Sequence, residues 1–176
     1  MTIGCSSDRE RAAPGVASSA SVAPSTSSST TSTVPLRPTS TTSTTYAPGT
    51  VEGQVEAAYL RGWDVYADQV WNLELDEAAL SEVLAGGQLE VTAQEIRDRI
   101  AEGRASWVRS DRQIQVVVDV ELGRAVVLDA WRNHQVLIDP VTKQPVEADP
   151  DEEIADQIAL ELVDGVWKTV MITRFE

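Results

Sequence analysis

Three aromatic side chains of this 176-residue chain fall on one stripe of a helical pattern: Tyr59, Trp63 and Tyr66, spaced 4 and 3. A phenol held in a dry pocket can donate a hydrogen bond to an oxygen that gains negative charge in a reaction. That chemistry needs a carboxylate partner, and the sequence offers no convincing one, because Asp64 and Asp68 map to the wet edge of the same helix. Packing of the three rings in a core is the competing reading. The only histidine, His134, shares strand parity with Val126, Leu128, Val136 and Ile138, which places it on the core side. Asp129 has the opposite parity, together with Val127 and Trp131. Unless a bulge shifts the register, His134 and Asp129 cannot meet as an acid–base dyad. Arg132 shares the parity of His134, but two cationic side chains do not make a general base. A histidine bonded to backbone or water at a strand end competes with any role in a site. The acidic stretch 147–156 could offer carboxylates to calcium, yet it lacks the Gly turn and the ligand spacing of a calcium loop, so a solvated charged loop fits it better. There is no zinc spacing, phosphate loop or nucleophile elbow. The pocket candidates are therefore Tyr59, Trp63, Tyr66, Arg132 and His134, with no catalytic residue, metal or cofactor expected.

These residues need elements to hold them. Val51, Val55, Tyr59, Trp63, Tyr66 and Val70 predict an amphipathic first helix with Thr50 as N-cap and with Glu52, Glu56, Asp64 and Asp68 along its wet edge. Gly53 and Gly62 weaken it, so packing must hold it. A short second helix is predicted from the cap Asp76 through Leu80, Val83 and Leu84, stopped by Gly86 and Gly87. A third begins at the capping box of Thr92 and Glu95, carries Ile96 and Ile100, and ends at Gly103. The period then changes to 2. Ile114, Val116, Val118, Val120 and Leu122 mark a half-buried strand, and Gly123 turns it into a second strand over 124–138. Asp139, Pro140 and Pro145 break that strand. A third carries Ile154, Ile158, Leu160 and Leu162 on one face, and Asp164-Gly165 makes the hairpin into a fourth over 166–175. Helices first and an antiparallel meander afterwards predict an α+β domain, with helices packed on a curved four-stranded antiparallel sheet.

Composition divides the chain in two. Residues 1–50 hold 12 Ser, 11 Thr and 5 Pro, and their charges sum to +1 (Asp8 and Glu10 against Arg9, Arg11 and Arg37). The whole chain carries −14, which leaves −15 on the remaining residues, together with all five tryptophans. A domain so acidic is repelled by phosphate, which excludes nucleic acid as a partner. One cysteine excludes a disulfide scaffold. No apolar run of about 18 residues predicts a spanning helix. Residues 18–45 cannot bury enough apolar surface to offset the entropy of ordering them, and they read as a disordered linker of the stalk type, bare or glycosylated. The expected division is a tail over 1–49 and one domain over 50–176.

Two resemblances extend this reading. Met1-Thr2-Ile3-Gly4-Cys5-Ser6 resembles the end of a bacterial lipoprotein signal, in which a small residue precedes a cysteine that receives lipid. No basic and apolar signal regions stand before it in this sequence. The resemblance implies lipidation at Cys5 and a domain tethered to the outer face of the cytoplasmic membrane; without lipid the chain would be cytoplasmic. The element order, with the ending Val163-Asp164-Gly165-Val166-Trp167-Lys168-Thr169-Val170, resembles the nuclear transport factor 2-like superfamily. That likeness implies a cone-shaped domain with a pocket between the first helix and the sheet. A stalked, acidic domain of this type, with twelve arginines against two lysines in the chain, resembles those of actinobacterial cell-envelope proteins. The implied function is binding or protein interaction without catalysis. The alternative is a small-molecule isomerase, cyclase or dehydratase, as in ketosteroid isomerase, where a tyrosine and a protonated aspartate form the oxyanion hole. The expected partners are an envelope protein or a small apolar ligand, and a second copy paired through the sheet face.

Overall fold

The computed structural model describes residues 41–42, 46–119 and 121–175. Cys5 and nearly all of the predicted tail lie outside the described residues. Three helices, α1 (Val51–Asn72), α2 (Glu77–Val83) and α3 (Gly86–Glu102), precede most of the strands. The main sheet has the order β1-β3-β4-β6-β7, from β1 (Thr41–Thr42), β3 (Ser110–Asp119), β4 (Arg124–Asn133), β6 (Glu152–Val163) and β7 (Val166–Phe175). Its last four strands pair antiparallel, and β1 lies parallel to β3. Two short strands, β2 (Ala105–Trp107) and β5 (Val136–Ile138), pair with each other. The molecule is α+β, with helices on one side of an antiparallel sheet.

Helix α1 starts where its cap predicts: the Thr50 Oγ1 accepts a hydrogen bond from the Gly53 N–H at 3.1 Å. Gly53 is required there, because a Cβ would lie 2.2 Å from the carbonyl oxygen of Ala47. Val55, Tyr59 and Val70 are buried as the stripe predicts, but Glu56, expected on the wet edge, is only 2 % exposed. Asp76 caps α2, with its Oδ1 accepting from the Ala79 N–H at 2.9 Å. Gly86 and Gly87 do not end α2; they open α3, and Thr92 lies inside that helix rather than at its cap. The Ala85 N–H donates to the Thr169 carbonyl, and the Gln88 Oε1 accepts from the Ile172 N–H, so contacts with β7 fix the early start. Gly103 ends α3 with a φ of 67°.

The Asp164-Gly165 hairpin has φ of 51° and 80° at its two central residues, as a two-residue loop that follows the strand twist requires. The predicted second strand is two strands. It breaks after Asn133, and β5 leaves the main sheet to join β2. On β4 the core side is the odd parity, Ala125, Val127, Asp129 and Trp131, opposite to the assignment that put His134 inward. A bulge between Ala159 and Leu160 shifts the pairing of β6 with β7. Residues 41–42 and Tyr46, read as tail, reach the sheet: β1 pairs with Asp111 and Arg112, and the Tyr46 hydroxyl accepts from the Val116 N–H at 2.9 Å. The main core lies between α1 and the sheet, around Val55, Tyr59, Val127, Ile158 and Leu160.

Candidate functional site

Alternation on four neighbouring strands brings charged groups to the helix-facing side. Asp129 on β4 stands directly opposite Asp156 on β6, and Asp156 stands opposite Arg174 on β7. Arg112 on β3 pairs with Trp131 in the next row. Four ionisable side chains of opposite signs are thus set under α1. Arg112 and Asp129 are ion-paired, with side chains 2 % and 0 % exposed.

Above this row lie the aromatic rings of α1. The Tyr59 hydroxyl donates to the Asp129 Oδ2 at 2.6 Å and accepts from the Arg112 Nη1 at 2.9 Å. The Arg112 guanidinium carbon lies 4.3 Å from the Trp63 ring centre and 4.7 Å from that of Trp131. Two adjoining rings and a carboxylate stand in for part of the water this cation gives up. The Trp131 Nε1 donates to the Asp156 Oδ2 at 2.9 Å, and the Arg174 Nε donates to the Asp156 Oδ1 at 3.1 Å. Burial pushes the Asp129 carboxyl above its ordinary value, against the opposing pull of Arg112. Burial also pushes the Tyr59 phenol far above its usual range, again with Arg112 opposing.

Beside this network lies a cavity of about 370 Å³. Its walls are Tyr59, Gly62, Trp63 and Tyr66 from α1, Gln88, Thr92, Glu95 and Arg99 from α3, and Trp131, Asp156 and Arg174 from the sheet. Trp63 meets Tyr66 and Trp131 edge-on, with ring centres 5.8 and 5.6 Å apart. The Tyr66 hydroxyl donates to the Glu95 Oε1 at 2.6 Å, and the Arg99 Nε donates to the same oxygen at 3.0 Å. Burial, then the Glu95 charge, push the Tyr66 phenol well above its usual range. Gly62 in mid-helix has no packing reason to be glycine, since a Cβ there would meet no atom within 4 Å. Each acid lining the cavity, Glu95 and Asp156, already holds an arginine.

The structure therefore gathers Tyr59, Trp63 and Tyr66 at one cavity and leaves Arg132 and His134 elsewhere. Arg132 pairs with Asp151 and Glu153. The His134 Nδ1 lies 2.9 Å from the Asp149 Oδ2, at the acidic loop. Burial pushes the Asp149 carboxyl upward, but the Asp151 N–H, His134 and Arg109 outweigh it and hold it below its usual range. Asp156, read as part of that loop, is buried inside β6 instead. Arg112, Asp129, Asp156 and Arg174 were missed as a set. Their signal was a charge on the apolar parity: Arg112 with Ile114 and Val116, Asp129 with Val127, and Asp156 with Ile154 and Ile158.

No protein-family profile matches the chain. No curated protein matches it either. Among solved structures, the intermembrane space region of chloroplast protein ARC6 is similar in fold, with a TM-score of 0.54 at 15 % identity, over 73 % of this chain and 98 % of that one. A de novo designed β-sheet protein matches with a TM-score of 0.34 at 14 % identity, over 69 % of this chain and 87 % of its own. Among the described residues no helix is long and apolar enough to cross a membrane.

Proposed function

We propose that residues 50–176 form a small-molecule binding domain of the nuclear transport factor 2-like type, held outside the cytoplasmic membrane by a lipid on Cys5. Gly62 is the observation that carries the binding reading. A glycine in a helix interior costs about 1 kcal/mol relative to alanine, and here it only keeps a wall of the aromatic cavity open. The ligand that suits this cavity is flat and aromatic, to lie against Trp63 and Trp131, with one acceptor-bearing end turned to Arg174. The commitment of every lining acid to an arginine supports binding without catalysis. Tyr59, whose hydroxyl already donates to Asp129, has no proton left to offer an oxyanion. An acidic head suits a domain held away from an anionic membrane surface.

The test is a pair of substitutions at one position in the full chain. Gly62→Ala should raise stability by up to about 1 kcal/mol, measured by urea unfolding. Gly62→Leu should fill the cavity and abolish the stabilisation that flat aromatic carboxylates give the parent protein in thermal melts. Equal stabilisation of parent and Gly62→Leu would refute the site. The tether has its own test, since mass spectrometry of the native N-terminus should find lipid on Cys5, and an intact Met1 on a soluble protein would exclude it. A second reading, an isomerase or cyclase, is favoured by two tyrosines and Asp156 sharing a cavity of this size. It requires the Asp156–Arg174 pair to open, and turnover of an enolisable ketone lost in Asp156→Asn would establish it.

A further inference from the structure

The cavity under α1 differs in chemistry from one end to the other, and strand register sets the order of its walls. On β7, Arg174 pairs with Asp156 and Ile172 with Ile158, in neighbouring rows of one sheet face. The bulge after Ala159 brings Thr169 opposite Leu160, in the row beyond. In the other direction Trp131 stands opposite Ile154 and Asn133 opposite Glu152. Thr169, Ile172, Arg174, Trp131 and Asn133 all line the cavity. Rows of one face are about 7 Å apart, so the walls extend about 14 Å from the Arg174 row to the Thr169 row.

The end near Asn133 is polar. Gln135 and the bonded group of Tyr66, Glu95 and Arg99 stand there. The four charged side chains of the walls, Glu95, Arg99, Asp156 and Arg174, all lie at that end or in the Arg174 row. Beyond Arg174 the walls turn apolar, with Leu84, Val91 and Ile172. Leu84 bridges to Thr169 there, so the connection into α3 closes this end. The amide of Gln88 is already engaged, since its Nε2 donates to the Thr92 Oγ1 and its Oε1 accepts from the Ile172 N–H, both at 3.1 Å. An aliphatic group placed here displaces no ligand-seeking polar side chain. It also covers Val91, which is 64 % exposed without it. The cavity of about 370 Å³ has room for such a group. At about 30 Å³ for each water-sized group it holds about twelve, and one aromatic ring with its carboxylate fills about nine.

We propose that the ligand of this cavity is an aromatic carboxylate bearing a short alkyl chain, held between Leu84, Val91 and Ile172. The proposal rests on the binding reading of the same cavity and names its ligand class. Arg174 stands between the rings and the apolar end, so carboxylate and chain leave neighbouring positions of the ligand ring. A chain on the opposite side of that ring meets Asn133 and Gln135 instead.

Titration calorimetry of the full chain with benzoate, ortho-propylbenzoate and para-propylbenzoate tests this. Each buried methylene strengthens binding by about fourfold, so the ortho compound should bind at least about tenfold tighter than benzoate, and the para compound should gain less. Ile172→Thr keeps the branched shape on β7, and Val91→Ser alters an exposed helix position. Each should shrink the affinity ratio of ortho-propylbenzoate to benzoate by about threefold or more, with thermal melts in the absence of ligand confirming that the variants fold. An ortho compound that binds no tighter than benzoate, or no tighter than its para isomer, would overturn the proposal and leave the binding reading standing. So would a ratio unchanged in both variants. If neither benzoate nor ortho-propylbenzoate binds, the binding reading falls and the proposal falls with it.

Discussion

Taking the hydroxyl from Tyr59 removes one donor from Asp129 and one acceptor from Arg112, and leaves both groups buried. Tyr59→Phe should therefore cost about 1–3 kcal/mol of stability. Arg112→Met strands the carboxylate of Asp129 and should cost more, about 3–5 kcal/mol, both values read from urea unfolding. Protonation has a definite sign here. The folded pKa of Asp129 is raised, so its contribution is full below the ordinary carboxylate value of about 3.9 and is lost as pH rises through the folded value. The stability advantage of the parent over Asp129→Asn should accordingly be largest in acid and shrink toward neutral pH; an advantage that grows with pH would contradict this. The phenols of Tyr59 and Tyr66 are also raised, so their contribution holds below about pH 10 and is lost above it, in alkaline unfolding. Tyr59, Trp63 and Tyr66 were legible from helical spacing alone. The carboxylate was not: Asp129 sits on the parity of Val127 and Trp131, and the opposite parity, with Val126 and Leu128, is as apolar in sequence, so only the structure shows which side lies under the helices.

Local chemistry set several element boundaries, and tertiary contacts set the others. Thr50, Asp76, Gly103 and Asp164-Gly165 act through hydrogen bonds or backbone angles within a few residues, so their effects are written next to them. The start of α3 depends on Thr169 and Ile172, about 85 positions away, and a Gly-Gly pair says only that a helix boundary is near. β2 and β5, of three residues each, are too short to show a period. The entry to α1 is the sharpest place to test the element. Gly53→Ala forces a methyl group onto the Ala47 carbonyl and should cost about 1–3 kcal/mol despite alanine's better helix propensity. The opposite sign at Gly62, where the space is open, makes the two glycines internal controls for each other.

At the scale of the molecule, one sheet presents two unlike faces. The inner face carries the buried Arg112–Asp129 pair and the Asp156–Arg174 pair, whose arginine is exposed, and aromatic rings lie against them beside the cavity. The central rows of the outer face hold no charged residue, and among the described residues Val117, Met171 and Phe175 stand exposed on it. Composition divides the chain near residue 50, yet Thr41, Thr42 and Tyr46 on the tail side of that division reach β3, and only pairing register could show which charges end up under the helix. The central claim is that the cavity under α1 receives a ligand. It is tested most directly by ¹⁵N spectra of the full chain titrated with flat aromatic carboxylates, using the indole N–H signals of the five tryptophans as reporters. The indoles of Trp63 and Trp131 should shift, those of Trp71 and Trp107 in the separate cluster at β2 and β5 should stay still, and Gly62→Leu should silence the response. Shifts absent from Trp63 and Trp131, or unchanged in Gly62→Leu, would contradict the claim.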